Sequence, residues 1–329
     1  MIYRLGMIGL WDHTSYTLAP LPQMKNVKLV ACACTEPTLI QSHRKRYPFF
    51  DDSVKIYSDF HEMLDKEALD ITAIYTTHGR RPEAVIAAAQ AGAHIFAEKP
   101  LAPNLIDLAR IYESVSSAEV QLSMMLAMRF EGVYRKVHEL VREGVLGEIA
   151  QASSQKSYKI GDRPEWMKNR GTFAGTIPYI ACHSLDLIRW TTGLEFVKGA
   201  AFHNNIGRPG LGCMENSAGI ILKADNGATL SSRLDYCRPE IAPSWGDDRL
   251  RIAGLDGVVE VMQNKINLIT KDKQPHEVQL SESIAPFQNF LDAIEGRVEP
   301  ILSADDCFRI TEIVLKLRDA ADAEAMVLL

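Results

Sequence analysis

The sequence predicts an α/β protein: a doubly wound parallel sheet in the N-terminal part, followed by an α+β part built on an open, largely antiparallel sheet. Three observations carry this expectation. Over the first 125 residues short β-rich runs alternate with helical patterns, as in a parallel sheet covered on both faces. After Arg129 the alternation stops and two long helical patterns follow. From about residue 196 to residue 269, strand-like runs are separated by the turn sequences NNIGRPGLG, ADNG and AGLDG.

Strands are expected at 3–8, 28–33, 71–75, 94–97 and 120–124, with helices between them at 38–47, 82–91 and 103–114. Pro82 and Pro103 fall in first helical turns, where the missing N–H has no intrahelical partner to lose. GVYRKVHELVREG reads as a helix closed by Gly144, and PYIACHSLDLIRWTTG as one closed by Gly193. A last helix is expected over 304–325. There is no internal repeat and no low-complexity linker. At 329 residues the chain exceeds what one hydrophobic core usually serves, so two domains are expected, 1–125 and 126–329.

Composition narrows the partners. Apolar residues make up 47% and charged residues 24%, ordinary values for a soluble globular protein. The net charge of −6 gives no electrostatic pull toward nucleic acid or an anionic membrane. No run approaches the roughly 20 apolar residues of a spanning helix, and the N-terminus lacks the features of an export signal. The six cysteines contain no CxxC pair, which argues against structural zinc and for reduced thiols in a cytoplasmic protein. A small-molecule partner and no metal are the expectation.

The first strand runs into MIGLWDHTS, where a dinucleotide-binding turn would begin. Such a turn uses three glycines: one for the tight turn, one for close approach of the pyrophosphate, one for packing helix on strand. Here those positions are Gly9, Trp11 and Thr14, so one of three is kept. Asp12 adds a negative charge, which an N-cap role would turn away from a phosphate. His13, Thr14 and Ser15 would then offer donors at a helix start that Pro20 and Pro22 keep short. The loop alone leaves two readings open, a phosphate site altered or one lost.

The stretch GAHIFAEKPLA places Glu98, Lys99 and Pro100 at the carboxyl end of an expected strand, where open parallel sheets bind ligands. Taken with VKIYSDFHEML, EALDITAIYTTH, MRF, EGVLGEI and HSLDLIRWTTG, in this order over nearly the whole chain, the sequence resembles the Gfo/Idh/MocA oxidoreductases. The resemblance implies a Rossmann-like domain binding NAD or NADP and a second domain whose open sheet forms a homodimer or homotetramer. It also implies a sugar, cyclitol or related polyol as substrate. It assigns Lys99 to proton transfer beside the nicotinamide and His183 to the substrate hydroxyl. Gly9, Trp11, Asp12, His13, Thr14, Cys34, Glu36, Thr76, Thr77, His78, Glu98, Lys99, Pro100 and Arg129 become the cofactor-binding candidates.

Several positions depart from the family pattern. The acidic residue that ends the second strand and holds the adenosine ribose is replaced by Cys34, with Glu36 two residues on. A carboxylate there favours NAD over NADP. The family's TPNxxH reads TTHGRR, with Thr77 for proline and Arg81 for histidine. An aspartate four residues before the histidine is replaced by Tyr179, a proton donor but a poor base. In GDRPEWMKNRGT, Arg163, Trp166 and Arg170 offer guanidinium forks and an aromatic face suited to a sugar ring. Moving a hydride off a carbinol carbon requires the hydroxyl proton to leave, which gives Lys99, His183 and Tyr179 their role. The leading expectation is an NAD(P)-dependent oxidoreductase. The alternatives are a lyase, epimerase or hydrolase using the same three residues, or a catalytically silent ligand-binding protein.

Overall fold

The opening strand β1 (Tyr3–Ile8) buries every residue from Leu5 onward, because it lies inside a parallel sheet covered on both faces. It is followed by α1 (Ser15–Leu18), β2 (Val27–Ala33), α2 (Pro37–Arg46), β3 (Lys55–Tyr57) and α3 (Phe60–Glu67). Next come β4 (Ile71–Ile74), α4 (Arg81–Gln90), β5 (His94–Ala97), α5 (Leu105–Ala118) and β6 (Leu122–Met124). The strands order β3-β2-β1-β4-β5-β6, all parallel. The order reverses between β1 and β4, which opens a crevice beyond their carboxyl ends.

The computed structural model describes residues 2–329 and divides into two units. The first is the chain up to Met125 together with Ala285–Arg309; the second is Leu126–Ile284 together with Ile310–Leu329.

One local reading is corrected, and two elements are added. Pro103 does not start α5: Asn104 caps it, its side chain accepting from the Asp107 N–H at 2.9 Å, so the helix runs from Leu105 to Ala118. β3 and α3 were not anticipated; β3 has only three residues, too few for an alternating pattern. α3 carries a cap, Asp59, whose carboxylate accepts from the His61 N–H.

The second unit contains α6 (Gly132–Arg142), β7 (Ile149–Lys159), α7 (Cys182–Thr192), β8 (Phe196–Asn204), β9 (Ser217–Ala224) and β10 (Thr229–Arg238). It continues with β11 (Gly246–Gly254), β12 (Gly257–Met262), β13 (Lys265–Thr270) and β14 (Lys273–Val278). Helix α8 (Pro286–Ile294) belongs to the first unit; α9 (Ala304–Asp322) and β15 (Met326–Leu328) close the chain. The nine strands order β14-β13-β12-β11-β7-β10-β9-β8-β15, antiparallel except for the parallel pair β7–β10. β7 is an addition to the sequence reading. Its buried face carries Ala152, Ser154 and Lys156 rather than a run of branched apolar side chains. Hydroxyls satisfy that face: Ser154 donates to Ser232 at 2.9 Å, and Ser184 of α7 lies 2.8 Å from the same oxygen.

Helix α7 continues from a single π-turn, Ile177–Ala181, and ends on Gly193 at φ 71°, a left-handed cap. Arg129 fixes it from the side. Its Nε and Nη2 donate to the two Asp186 carboxylate oxygens at 2.8 and 2.6 Å, both side chains being buried. Among the described residues no helix is long and apolar enough to cross a membrane.

Removing one partner of a buried pair leaves an uncompensated charge, typically about 3–5 kcal/mol. Arg129→Met and Asp186→Leu are each expected to destabilise the second unit by about this much, and the double variant by clearly less than their sum. Urea unfolding followed by Trp166, Trp190 and Trp245, all in this unit, checks it; single variants as stable as wild type would refute the pairing.

Candidate cofactor and catalytic sites

The cleft at the carboxyl ends of β1, β2 and β4 gathers Gly9, Trp11, Cys34, Glu36, Thr76 and Thr77, together with Thr35, Ser58, Phe60 and Arg80. Gly9 has φ 77°, and a Cβ there would lie 2.4 Å from the Tyr75 carbonyl oxygen. Only glycine lets β1 turn this close to the end of β4. The Trp11 N–H donates to that same carbonyl at 3.0 Å.

The loop then departs from its expected form. Asp12, not a glycine, takes the left-handed conformation, at φ 58°. Asp12 is not the N-cap of α1. That position belongs to Thr14, which makes no capping bond from its side chain, and α1 itself is four residues long. The Thr14 hydroxyl instead sits 2.8 Å from His43 Nε2, while His43 Nδ1 lies 2.8 Å from the Leu39 carbonyl oxygen. Burial lowers the His43 pKa, which suits a neutral ring donating through Nδ1 and accepting from Thr14.

What holds the loop is an acid at the end of β5. Glu98 has no exposed side chain, and His13 Nδ1 lies 3.1 Å from its Oε2. Lys99 Nζ lies 3.6 Å from Oε1, which also accepts the Lys99 backbone N–H at 3.1 Å. Burial alone would raise the Glu98 pKa, but His13, Lys99 and Arg81 outweigh it and hold the carboxyl at about 2. Burial and the nearby Glu98 push the Asp12 carboxyl above its ordinary range. Lys99 is 2% exposed, and its peptide bond to Pro100 is cis.

Arg81, which the sequence offers only as a substitution, is fully buried and donates to the Pro100 and Thr76 carbonyl oxygens, each at 2.6 Å. It ties the loop after β4 to the loop after β5. His78 is also fully buried, and burial, then Arg81 and Lys99, depress its pKa strongly, so it is neutral.

At the end of β2 the displaced acid is explained. The Cys34 thiol, pushed up to about 11 chiefly by burial, stays protonated and donates to Glu36 Oε2 at 3.3 Å. The carboxylate two residues on is thereby drawn back to the cleft. Thr76 Oγ1 is buried there without a hydrogen-bond partner among the described residues. An acceptor at β2, an orphaned hydroxyl and a glycine that no side chain can replace fit a dinucleotide.

The second unit carries the other candidates. Tyr179 lies in the π-turn, 7% exposed, with the Phe173 ring edge-on at 5.5 Å. Trp166 is edge-on to Phe173 at 5.9 Å, so the three rings form a ladder. His183 is half-buried on the first turn of α7. Arg163 stacks its guanidinium 4.4 Å from the Tyr236 ring centre and 6.0 Å from that of Trp245, neither of which the sequence singles out. Arg170 is committed to an ion cluster, 2.6 Å from Glu215 and 3.3 Å from Asp322. Arg129, expected at the cofactor, is buried against Asp186 and lies 5.7 Å from the Trp190 ring centre.

Comparison with known proteins follows the same division. Residues 3–126 match the oxidoreductase family with an NAD-binding Rossmann fold, and residues 134–260 match the GFO/IDH/MocA C-terminal domain. The chain belongs to the GFO/IDH/MocA oxidoreductase family. A myo-inositol 2-dehydrogenase of Thermotoga maritima is 28% identical over 232 residues, 68% of this chain and 66% of that protein, just under two thirds of its length. Another Thermotoga maritima protein, provisionally described as an oxidoreductase, is 33% identical and superposes with a TM-score of 0.93 over 99% of this chain and 100% of its own. Levoglucosan dehydrogenase, in a complex with NADH and L-sorbose, shares the fold at a TM-score of 0.84 and 18% identity, covering 100% of this chain and 99% of that one.

Because the folded pKa of Glu98, about 2, lies below its ordinary 4.5, its ionisation stabilises the fold above pH 4.5, and that contribution disappears as pH falls toward 2. Urea unfolding of wild type and Glu98→Gln from pH 5 downward is expected to show the variant losing clearly less stability than wild type. Parallel curves would contradict the assignment.

Proposed function

We propose that the protein is an NAD(P)-dependent oxidoreductase that exchanges a hydride between nicotinamide and a sugar, cyclitol or related polyol. The observation that carries the reading is Lys99, an ammonium 2% exposed, held 3.6 Å from a buried anion at the carboxyl end of β5. A lysine buried there, in a fold whose ligands sit at strand ends, is placed to meet a bound ligand rather than solvent, which supports a role in proton transfer. The family membership and the inositol dehydrogenase relative support the reaction class.

In this reading the cleft of Gly9, Trp11, Cys34, Glu36, Thr76 and Thr77 holds the dinucleotide, with Asp12, His13 and Thr14 shaping the turn. His78, Glu98 and Pro100 form the buried support behind Thr76 and Lys99. Bound nicotinamide supplies the hydride acceptor or donor. The protein supplies the proton path: Lys99 and His183 exchange the substrate hydroxyl proton, and Tyr179 donates a hydrogen bond to the substrate oxygen. Arg163 and Trp166 contact the polyol. Glu36 accepts from ribose hydroxyls and repels a 2′-phosphate, so NAD is preferred over NADP.

The protein works in the cytoplasm as a homodimer or homotetramer. The outer face of the nine-stranded sheet, with Phe202, Ile221, Met262 and Ile269 exposed, supports that surface as the contact.

The test is NADH formation from NAD with a panel of inositols, aldoses and alditols. Wild type is expected to turn over at least one; Lys99→Ala and His183→Ala are each expected to lose about 10²–10⁴-fold in kcat. Glu36→Ser is expected to narrow the NAD over NADP preference. Full activity in Lys99→Ala, or no polyol-dependent NADH from wild type, would defeat the proposal.

A further inference from the structure

Helix α7 and its π-turn form one continuous helical segment that begins at Thr176 and carries Tyr179 and His183 on its first two turns. The amide at its start is met by a residue from a distant part of the chain. Glu215, in the turn before β9, is 6% exposed. Its Oε2 accepts the Thr176 N–H at 2.8 Å, and its backbone carbonyl accepts the Thr176 hydroxyl at 2.7 Å. Thr176 itself is fully buried.

The carboxylate is in turn held. Its Oε1 accepts from Arg170 Nη2 at 2.6 Å and lies 3.4 Å from His203 Nδ1. Asp322, at the end of α9, closes the ring at 3.3 Å from Arg170 and 3.1 Å from His203 Nε2. His203, Glu215 and Asp322 offer ligand atoms within 4.8 Å of one another, close enough for a metal ion. Arg170 already stands between the two carboxylates, so the cation of this cluster is a guanidinium. Burial opposes ionisation of Glu215, but Arg170, the Thr176 amide and His203 outweigh it and lower its pKa.

An anion at a helix start satisfies an amide that would otherwise lack an intrahelical partner, and it meets the positive end of the helix dipole. Arg129 and Asp186 fix the same helix three residues beyond His183. The stretch between these two anchors carries Tyr179 and His183, the two residues of this unit that the proposed function places at the substrate oxygen. We propose that Glu215 is a positioning residue for Tyr179 and His183: it sets the height and rotation of their helix by holding its first amide, with Arg170 locking the carboxylate in place. The inference rests on the function proposed for those two residues.

Three variants test it in the full-length protein, with NAD and a polyol that wild type oxidises. Glu215→Ala removes the acceptor and is expected to lower kcat about a hundredfold, the scale of a displacement near 1 Å, while KM changes by less than about threefold. Glu215→Gln keeps an acceptor oxygen for Thr176 and is expected to recover at least a tenth of wild-type kcat. Asp322→Asn disturbs the cluster on the side away from Thr176 and is expected to stay within twofold of wild type. Should Glu215→Ala fail to fold, the comparison of Glu215→Gln with Asp322→Asn decides: both equally impaired in kcat overturns the proposal. It is also overturned if Glu215→Ala folds with wild-type kcat, or loses in KM what it keeps in kcat. Inactive wild type, by contrast, would count against the oxidoreductase reading itself.

Discussion

A carboxylate buried without exposed surface must be matched by positive partners, since an uncompensated charge in a protein interior costs several kcal/mol. Glu98 is such a group, and it organises the first unit. Its cation, Lys99, is its neighbour in sequence; a hydrogen-bonding partner, His13, comes from the loop after β1. The loop that departs from the glycine-rich form is thus the loop that delivers His13. The left-handed Asp12 is the residue just before it, so the backbone contortion and the missing glycines belong to one arrangement. Arg81 adds buried positive charge behind the carboxylate while bracing two adjoining loops. The altered turn is a replacement for the usual mechanics, built around an ion cluster in place of bare backbone.

The second unit applies the same logic to a helix. Its π-turn and α7 are held by a carboxylate at the first amide and by a bidentate guanidinium pair farther along. Both anchors are buried and charge-assisted, which makes them short and directional. Side chains between two such points keep their positions against thermal drift better than side chains on a helix held by apolar packing alone. The aromatic ladder of Trp166, Phe173 and Tyr179 adds a rigid wall on the π-turn side.

Much of this was legible in the sequence where local patterns decide structure. β1 and β5 run over the residues their hydrophobic patterns mark, and Gly193 ends α7 as its position suggests. β7 was not legible, since its buried face is Ser154 and Lys156, polar groups whose partners lie on other strands. Thr14, not Asp12, takes the N-cap position of α1, without a capping bond, in a turn where His13 reaches Glu98 85 positions away. Arg170 read as a sugar-binding fork, yet Glu215, 45 positions away, claims it. Cys34 and Glu36 read as a substitution and a displaced acid, and only the thiol-to-carboxylate bond joins them into one feature. Charge pairing across long stretches of chain has no periodicity, so neither spacing nor composition announces it.

The most direct measurement follows Trp11, which lines the cleft that the reorganised loop leaves open. Calorimetric titration of the purified protein with NADH, paired with tryptophan emission, separates binding from contact. A saturable heat at micromolar NADH is expected in wild type and in Trp11→Phe alike, with a component of emission quenching present only in wild type. No heat at millimolar NADH or NADPH would contradict the claim that this loop still holds a dinucleotide.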